Sequence, residues 1–164
     1  MVREVLRYPD HRLKAPAVAL RRVGPAARRL AEDLRDTARA HPRTVGLAAP
    51  QIGAPWRMAW VDCTGHPRVP EPLGELWLVD PVVVAREGAA IAREGCLSLP
   101  DVTANVRRAT GVSVRALDLE GRERTVRAEG FEARVLLHEI DHLDGVLILD
   151  RVASLLLDVF PRRR

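Results

Sequence analysis

In the stretch ARVLLHEIDHLDG (Ala133–Gly145), two of the chain's 5 histidines, His138 and His142, stand four residues apart with Glu139 between them. On a helix, residues four apart share a face, their Cβ atoms about 5–6 Å from one another. Two imidazoles so placed can grip one metal ion, and a glutamate at the same pole can move the protons of a water that the ion acidifies. The plainer alternative is that both rings only fill a buried face, but the acidic neighbour favours the metal. The pattern requires a helix, and Gly145 is a natural stop for it. A metal there also needs a third ligand from elsewhere in the chain.

The stretch EGCLSLP (Glu94–Pro100) offers that ligand in Cys96, in a short segment between Gly95 and Pro100. A thiolate with two imidazoles leaves one coordination position open, as a catalytic metal requires. His11, His41 and His66 lie in Pro- and Arg-rich stretches and are poorer candidates, and no histidine follows His142. Asp144, Asp150 and Asp158 stay open as carboxylate alternatives. A third stretch, TVGLAAPQIG (Thr44–Gly53), has glycines and alanines that let a ligand approach the backbone closely. Its Gln51 carries an amide that can face developing negative charge. A tight loop with an ordinary hydrogen-bonding glutamine would read the same way.

At 164 residues the chain is long enough for one domain with a core that needs no disulfide staples. No apolar run approaches the roughly 20 residues of a membrane span, and Met1 is not followed by an apolar signal region, so the expected location is the cytoplasm. Cys63 and Cys96 are then expected as free thiols, Cys63 as a structural residue near a strand end. The formal charge is +4, carried by arginine, since Lys14 is the lone lysine. Aromatic residues make up only 4%, which argues against a stacking platform for bases and against specific DNA binding. The basic tail Arg162–Arg164 could touch phosphates.

Pro25 suits the first turn of a helix whose Ala26, Ala27, Leu30, Ala31, Leu34 and Ala38 recur on one face, ending near His41-Pro42. Tyr8–Ala17 reads as an extended arm, Trp56–Asp62 as a strand, and Gly65–Gly74 as a loop. Leu76–Ala85 is a strand region bent at Pro81. Gly111–Leu119 and Arg124–Gly130 pair across Glu120-Gly121. A last helix is expected near Arg151–Phe160. The expectation is an α+β domain over residues 1–164, with mixed, partly antiparallel sheets around a central helix carrying the HExxH motif, an N-terminal helix and a C-terminal helix.

Together, the AAPQ loop, the EGCLS segment and the HExDHLxG helix, in that order, resemble the peptide deformylase family, as does the arm YPDHRL. The match runs over essentially the whole chain, and EGCLS is its most specific part. Thr44 stands where the family usually has glycine, and Leu137 where it usually has glutamine. The resemblance implies that Cys96, His138 and His142 hold one divalent ion, Fe2+ in the cell, with Zn2+, Ni2+ or Co2+ as substitutes. It implies that Glu139 carries protons while Gln51 and the Leu97 backbone N–H hold the oxyanion, in removal of the formyl group from N-terminal formylmethionine. Val45, Gly46 and Val135 would bind substrate. The implied partners are nascent formylated polypeptides, with transient ribosome contact, no membrane, and the chain acting as a monomer. Two rivals are a zinc metallopeptidase with a third ligand downstream of His142, and a catalytically silent homologue docked on ribosomes.

Overall fold

The computed structural model describes residues 1–163. Pro25 opens α1 (Pro25–Arg39), and its buried stripe of Ala27, Ala31, Leu34 and Ala38 follows the expected spacing. Ala26 is the exception and faces solvent. The chain then forms β1 (Gly46–Ala48), a short 3-10 turn over Ala49–Ile52, and β2 (Met58–Val61). Next come β3 (Leu76–Glu87), β4 (Ala90–Cys96), β5 (Leu99–Arg108), β6 (Gly111–Leu117) and β7 (Glu123–Glu129). Last are α2 (Gly130–Leu143), α3 (Ile148–Arg151) and β8 (Val159–Pro161).

Two sheets result, one of five strands in the order β1-β2-β3-β6-β7 and one of three in the order β4-β5-β8. Every ladder is antiparallel. The β3 register shifts between Val79 and Val82, around Pro81, as a proline without an N–H to donate requires.

The α2 helix is buried almost all round and packs against β1, β2 and β7. A helix in that position is a core element rather than a surface one. Its Leu136 and Ile140 close a core with Val61, Leu78, Val112 and Val114 of the larger sheet. Leu137 belongs to the same cluster, so the position where the family pattern carries a polar group packs here among apolar side chains. Gly145 ends the helix with φ 72°, and a side chain there would press into the Lys14 carbonyl. Two constraints thus select glycine at that one position.

Three segments differ from the sequence reading. The arm is not wholly extended: Asp10 Oδ1 accepts the Arg12 N–H (3.0 Å) and starts a 3-10 turn over His11–Lys14 that plants Leu13 in the core. The hairpin β4–β5 falls where only the EGCLSLP segment stood out. The C-terminal helix is a single turn at Ile148–Arg151, ahead of the expected Arg151–Phe160. Beyond it, the Ser154 and Asp158 side chains bond to nearby backbone N–H groups, and Leu155, Leu156 and Leu157 are exposed, so no apolar face exists to hold a longer helix. The chain instead ends as β8, pairing Val102–Ala104 of β5. No helix among the described residues is long and apolar enough to cross a membrane.

Candidate metal centre

Cys96 is the last residue of β4, and the register shifts there so that it pairs with Leu99 across a two-residue turn, Leu97–Ser98. That tight turn pushes the thiol out of the ladder toward α2, which presents His138 and His142 one turn apart with ring centroids 5.0 Å from each other. Cys96 Sγ lies 3.3 Å from His142 Nε2. One ligand atom from each of Cys96, His138 and His142 falls within 4.8 Å of the others; Cys96 and His142 are buried, and the His138 side chain is 12% exposed. An ion bonded to sulfur at about 2.3 Å and nitrogen at about 2.0–2.1 Å needs ligand atoms roughly 3.5 Å apart, so the donor set fits.

The other candidates have different work. Asp144 pairs with Arg57, Asp150 with Lys14, and Asp158 caps the Ser154 turn. His41 Nδ1 bonds the Thr37 carbonyl, and the His66 ring stacks on Phe131. Among the described residues, nothing downstream of His142 joins the cluster.

Glu94 carries a role that the sequence reading did not assign. Buried two residues before Cys96, its carboxylate accepts from Arg108 (2.9 and 3.0 Å), Arg134 (2.7 Å) and His138 Nδ1 (2.8 Å). Burial alone would raise its pKa, but the bonds from His138 and Arg108 outweigh this and hold the carboxyl well below the usual range. With Nδ1–H committed to Glu94, His138 keeps Nε2 for a metal, the arrangement that fixes ring orientation in metal sites. Arg108 also bonds Asp141 (2.5 Å), which in turn accepts from Arg151 (2.8 Å), so the ligand helix is clamped to β5 and α3.

Glu139 is buried against Gly46. A Cβ on Gly46 would come within 2.6 Å of Glu139 Oε1, so glycine is required by close approach rather than by an unusual φ. Among the described residues, Glu139 Oε2 has no hydrogen-bond partner, and neither does His142 Nδ1. Burial pushes the Glu139 carboxyl above its ordinary value. Gln51 is fixed by accepting the Ala48 N–H (3.0 Å), and its Nε2 points to Ser98 Oγ (3.1 Å) and Cys96 Sγ (3.7 Å). The amide N–H group therefore faces the centre.

Gln51, Glu94, Cys96, His138 and Glu139 line a cavity of about 900 Å³ that also takes in Val45, Gly46, Leu97 and Val135. β1 and β4, each paired on one side only, border it. Thr44 also lines it, half-buried.

The two thiols differ. Cys63 follows β2 inside the core, and burial, helped by the nearby Glu132 charge, pushes its pKa up to about 12. Cys96 borders the cavity, with its pKa well below the ordinary value: burial opposes the charge, but the His142 and His138 rings outweigh it. In the native metal-free protein near neutral pH, a disulfide reagent is expected to titrate one thiol per chain, rising to two in denaturant, with added divalent metal suppressing the native one. Two thiols reacting rapidly in the native protein would contradict this.

Comparison with known proteins agrees with the geometry. The sequence model of the polypeptide deformylase family matches residues 2–157. A peptide deformylase of Thermomicrobium roseum is 45% identical over 152 residues, covering 92% of this chain and 86% of that one. The crystal structure of a peptide deformylase from Legionella pneumophila superposes with a TM-score of 0.86 at 36% identity, covering 94% of this chain and 88% of that one. A class I type b peptide deformylase from Acinetobacter baumannii, with Met-Ala-Ser bound, has a TM-score of 0.83 at 31% identity, covering 93% and 99%. A thiol and two imidazoles converging beside a buried glutamate, on a chain whose residues 2–157 match the family model, place this protein in the peptide deformylase family.

Proposed function

We propose that this chain, acting as one catalytic domain over residues 1–164, removes the formyl group from N-terminal formylmethionine of nascent polypeptides and releases formate. In this reading Cys96, His138 and His142 hold one divalent ion, Fe2+ in the cell, with Zn2+, Ni2+ or Co2+ as substitutes. The observation that carries it is the meeting of those three donors beside Glu139, whose second carboxylate oxygen has no partner among the described residues, in a cavity bordered by two singly paired strands. A bound ion supplies Lewis acidity, drawing the pKa of water from about 16 toward roughly 7 and polarising the formyl oxygen.

The chain's own residues do the rest. Glu139 takes a proton from the attacking water and delivers it to the departing amine. The Gln51 Nε2–H and the Leu97 backbone N–H stabilise the oxyanion, a duty worth about 2.7–4 kcal/mol per donor in comparable sites. Substrate backbone adds as a strand along Val45–Gly46 and Gly95–Leu97, and main-chain pairing of this kind accepts many sequences. Val45, Val135 and the His138 ring flank the methionine side chain. The reaction takes place in the cytoplasm on a monomeric enzyme in transient contact with the ribosome. Arg162 and Arg163 of the basic tail border the cavity, whereas Arg164 lies outside the described residues.

Gly46 yields a direct check on this assignment. Gly46→Ala is expected to displace Glu139 and lower kcat by about 10²-fold, the penalty of roughly 1 Å of misplacement, with the circular dichroism spectrum unchanged. An unaltered kcat would show that the contact is irrelevant to the chemistry. The reading itself is tested by incubating anaerobic, iron- or nickel-loaded protein with formyl-Met-Ala-Ser. Formate and free Met-Ala-Ser are expected in equal amounts. Scission of the Met-Ala bond would point to a metallopeptidase, and metal-loaded protein without either product would contradict catalysis.

A further inference from the structure

The last strand brings the end of the chain back to the active-site cavity. β8 pairs with β5, and the Arg162 N–H continues the ladder by donating to the Asp101 carbonyl (2.9 Å). The Arg162 guanidinium then lies on the face of Gly95, where a Cβ atom would meet Nη2 at 2.5 Å and Cζ at 3.2 Å. Gly95 lies on the exposed face of β4, opposite the buried face that carries Glu94 and Cys96, so this exposed cation borders the cavity along the outer face of the strand. Arg163, Arg43 and Arg93 line the same cavity. Arg93 is held in place by the Phe160 ring of β8 (3.6 Å) and by Asn105 Oδ1 (3.3 Å).

Four exposed guanidiniums thus line the cavity, and among the described residues its walls offer nothing to neutralise them. Of the two lining carboxylates, Glu94 is buried and taken by Arg108, Arg134 and His138, and Glu139 is buried beneath Gly46. Among the described residues, Arg43, Arg162 and Arg163 have no carboxylate partner. A cleft lined by one sign of charge concentrates its field and draws ligands of the other sign.

Position says which part of a ligand feels that field. With the formyl carbon beside Cys96 and Leu97, a peptide added to β4 and running antiparallel to it advances about 3.3 Å per residue, toward Gly95 and Arg93. Its second and third residues therefore pass under Arg162. We propose that Arg162 and Arg163, with Arg43 and Arg93, form a cationic collar that selects formylated chains bearing Asp or Glu at the second or third position. This rests on the deformylase reading and names a substrate class within it.

The test compares formyl-Met-Ala-Glu-Ser amide with formyl-Met-Ala-Gln-Ser amide, so that only the side chain differs in charge. At about 20 mM NaCl the glutamate peptide is expected to have a kcat/KM about two- to fivefold higher, through KM, as befits partly exposed ion pairs. At about 500 mM NaCl screening brings the ratio toward one. Arg162→Gln with Arg163→Gln collapses the ratio at low salt, and Arg162→Glu shifts preference toward a lysine peptide. Arg122→Gln, which removes one charge from the β6–β7 turn, leaves the ratio as it was. Equal rates for the two peptides in the wild type, or a ratio indifferent to the double substitution, would overturn the collar while leaving deformylation standing. Equal rates together with salt-sensitive loss of ribosome co-sedimentation in the double variant would assign the tail to RNA phosphates and likewise overturn it. No formate from either peptide would overturn both readings.

Discussion

Glu139→Gln is expected to lower kcat for formyl-Met-Ala-Ser by about 10²- to 10⁴-fold, the range for loss of a positioned acid–base group. KM should change little, and one metal per chain should remain bound, because the carboxylate is not among the three converging donors. The physical reason is its location. Glu139 is buried, its carboxyl is pushed up by that burial, and one oxygen lacks a partner among the described residues. A buried, unpaired carboxylate is a cost to the fold that a merely structural residue would not retain. The thermal midpoint of the variant therefore should not fall. Formate release, metal analysis and calorimetry on the same preparation check all three expectations. A variant as active as the wild type would remove Glu139 from the mechanism.

The second large effect is on stability. Glu94→Ala leaves Arg108 with Asp141 as its remaining carboxylate partner and Arg134 with only the Val106 and Ala90 carbonyls, while His138 loses the bond that orients it. Removing one partner from a buried ionic network costs about 3–5 kcal/mol, because charge is stranded without compensation. Urea unfolding should show the midpoint falling with little change in slope. Metal affinity should weaken by about 10- to 100-fold, as for loss of a group that orients a ligand histidine. Loss of metal without loss of stability would mean that the arginines find other partners. Loss of stability without loss of metal would mean that the helix alone orients His138.

The network also explains which parts of the site were legible from sequence. His138, Glu139 and His142 declare themselves through four-residue spacing, which any helix turns into a shared face. Gly46 is legible because a ligand-approachable backbone needs small residues, and Gln51 because its amide can face developing negative charge, although the contact that forces glycine at 46 comes from Glu139, far along the chain. Glu94 was visible in EGCLS, but its function was not: its partners arrive from positions 108, 134 and 138, and only tertiary pairing brings them together. The same limit applies to β8. Three residues, Val159–Pro161, carry no periodic signal, and their partner strand lies well upstream, so the stretch from Arg151 read as helix. The Arg162 position inherits that illegibility, since a basic tail reads as solvated until a ladder fixes where it points.

X-ray absorption on zinc-loaded protein tests the central claim most directly. One sulfur at about 2.3 Å with two nitrogens at about 2.0–2.1 Å is the expected first shell, and Cys96→Ala should abolish its sulfur component. A shell without sulfur, or metal bound one per chain with unchanged affinity in Cys96→Ala, would contradict the account.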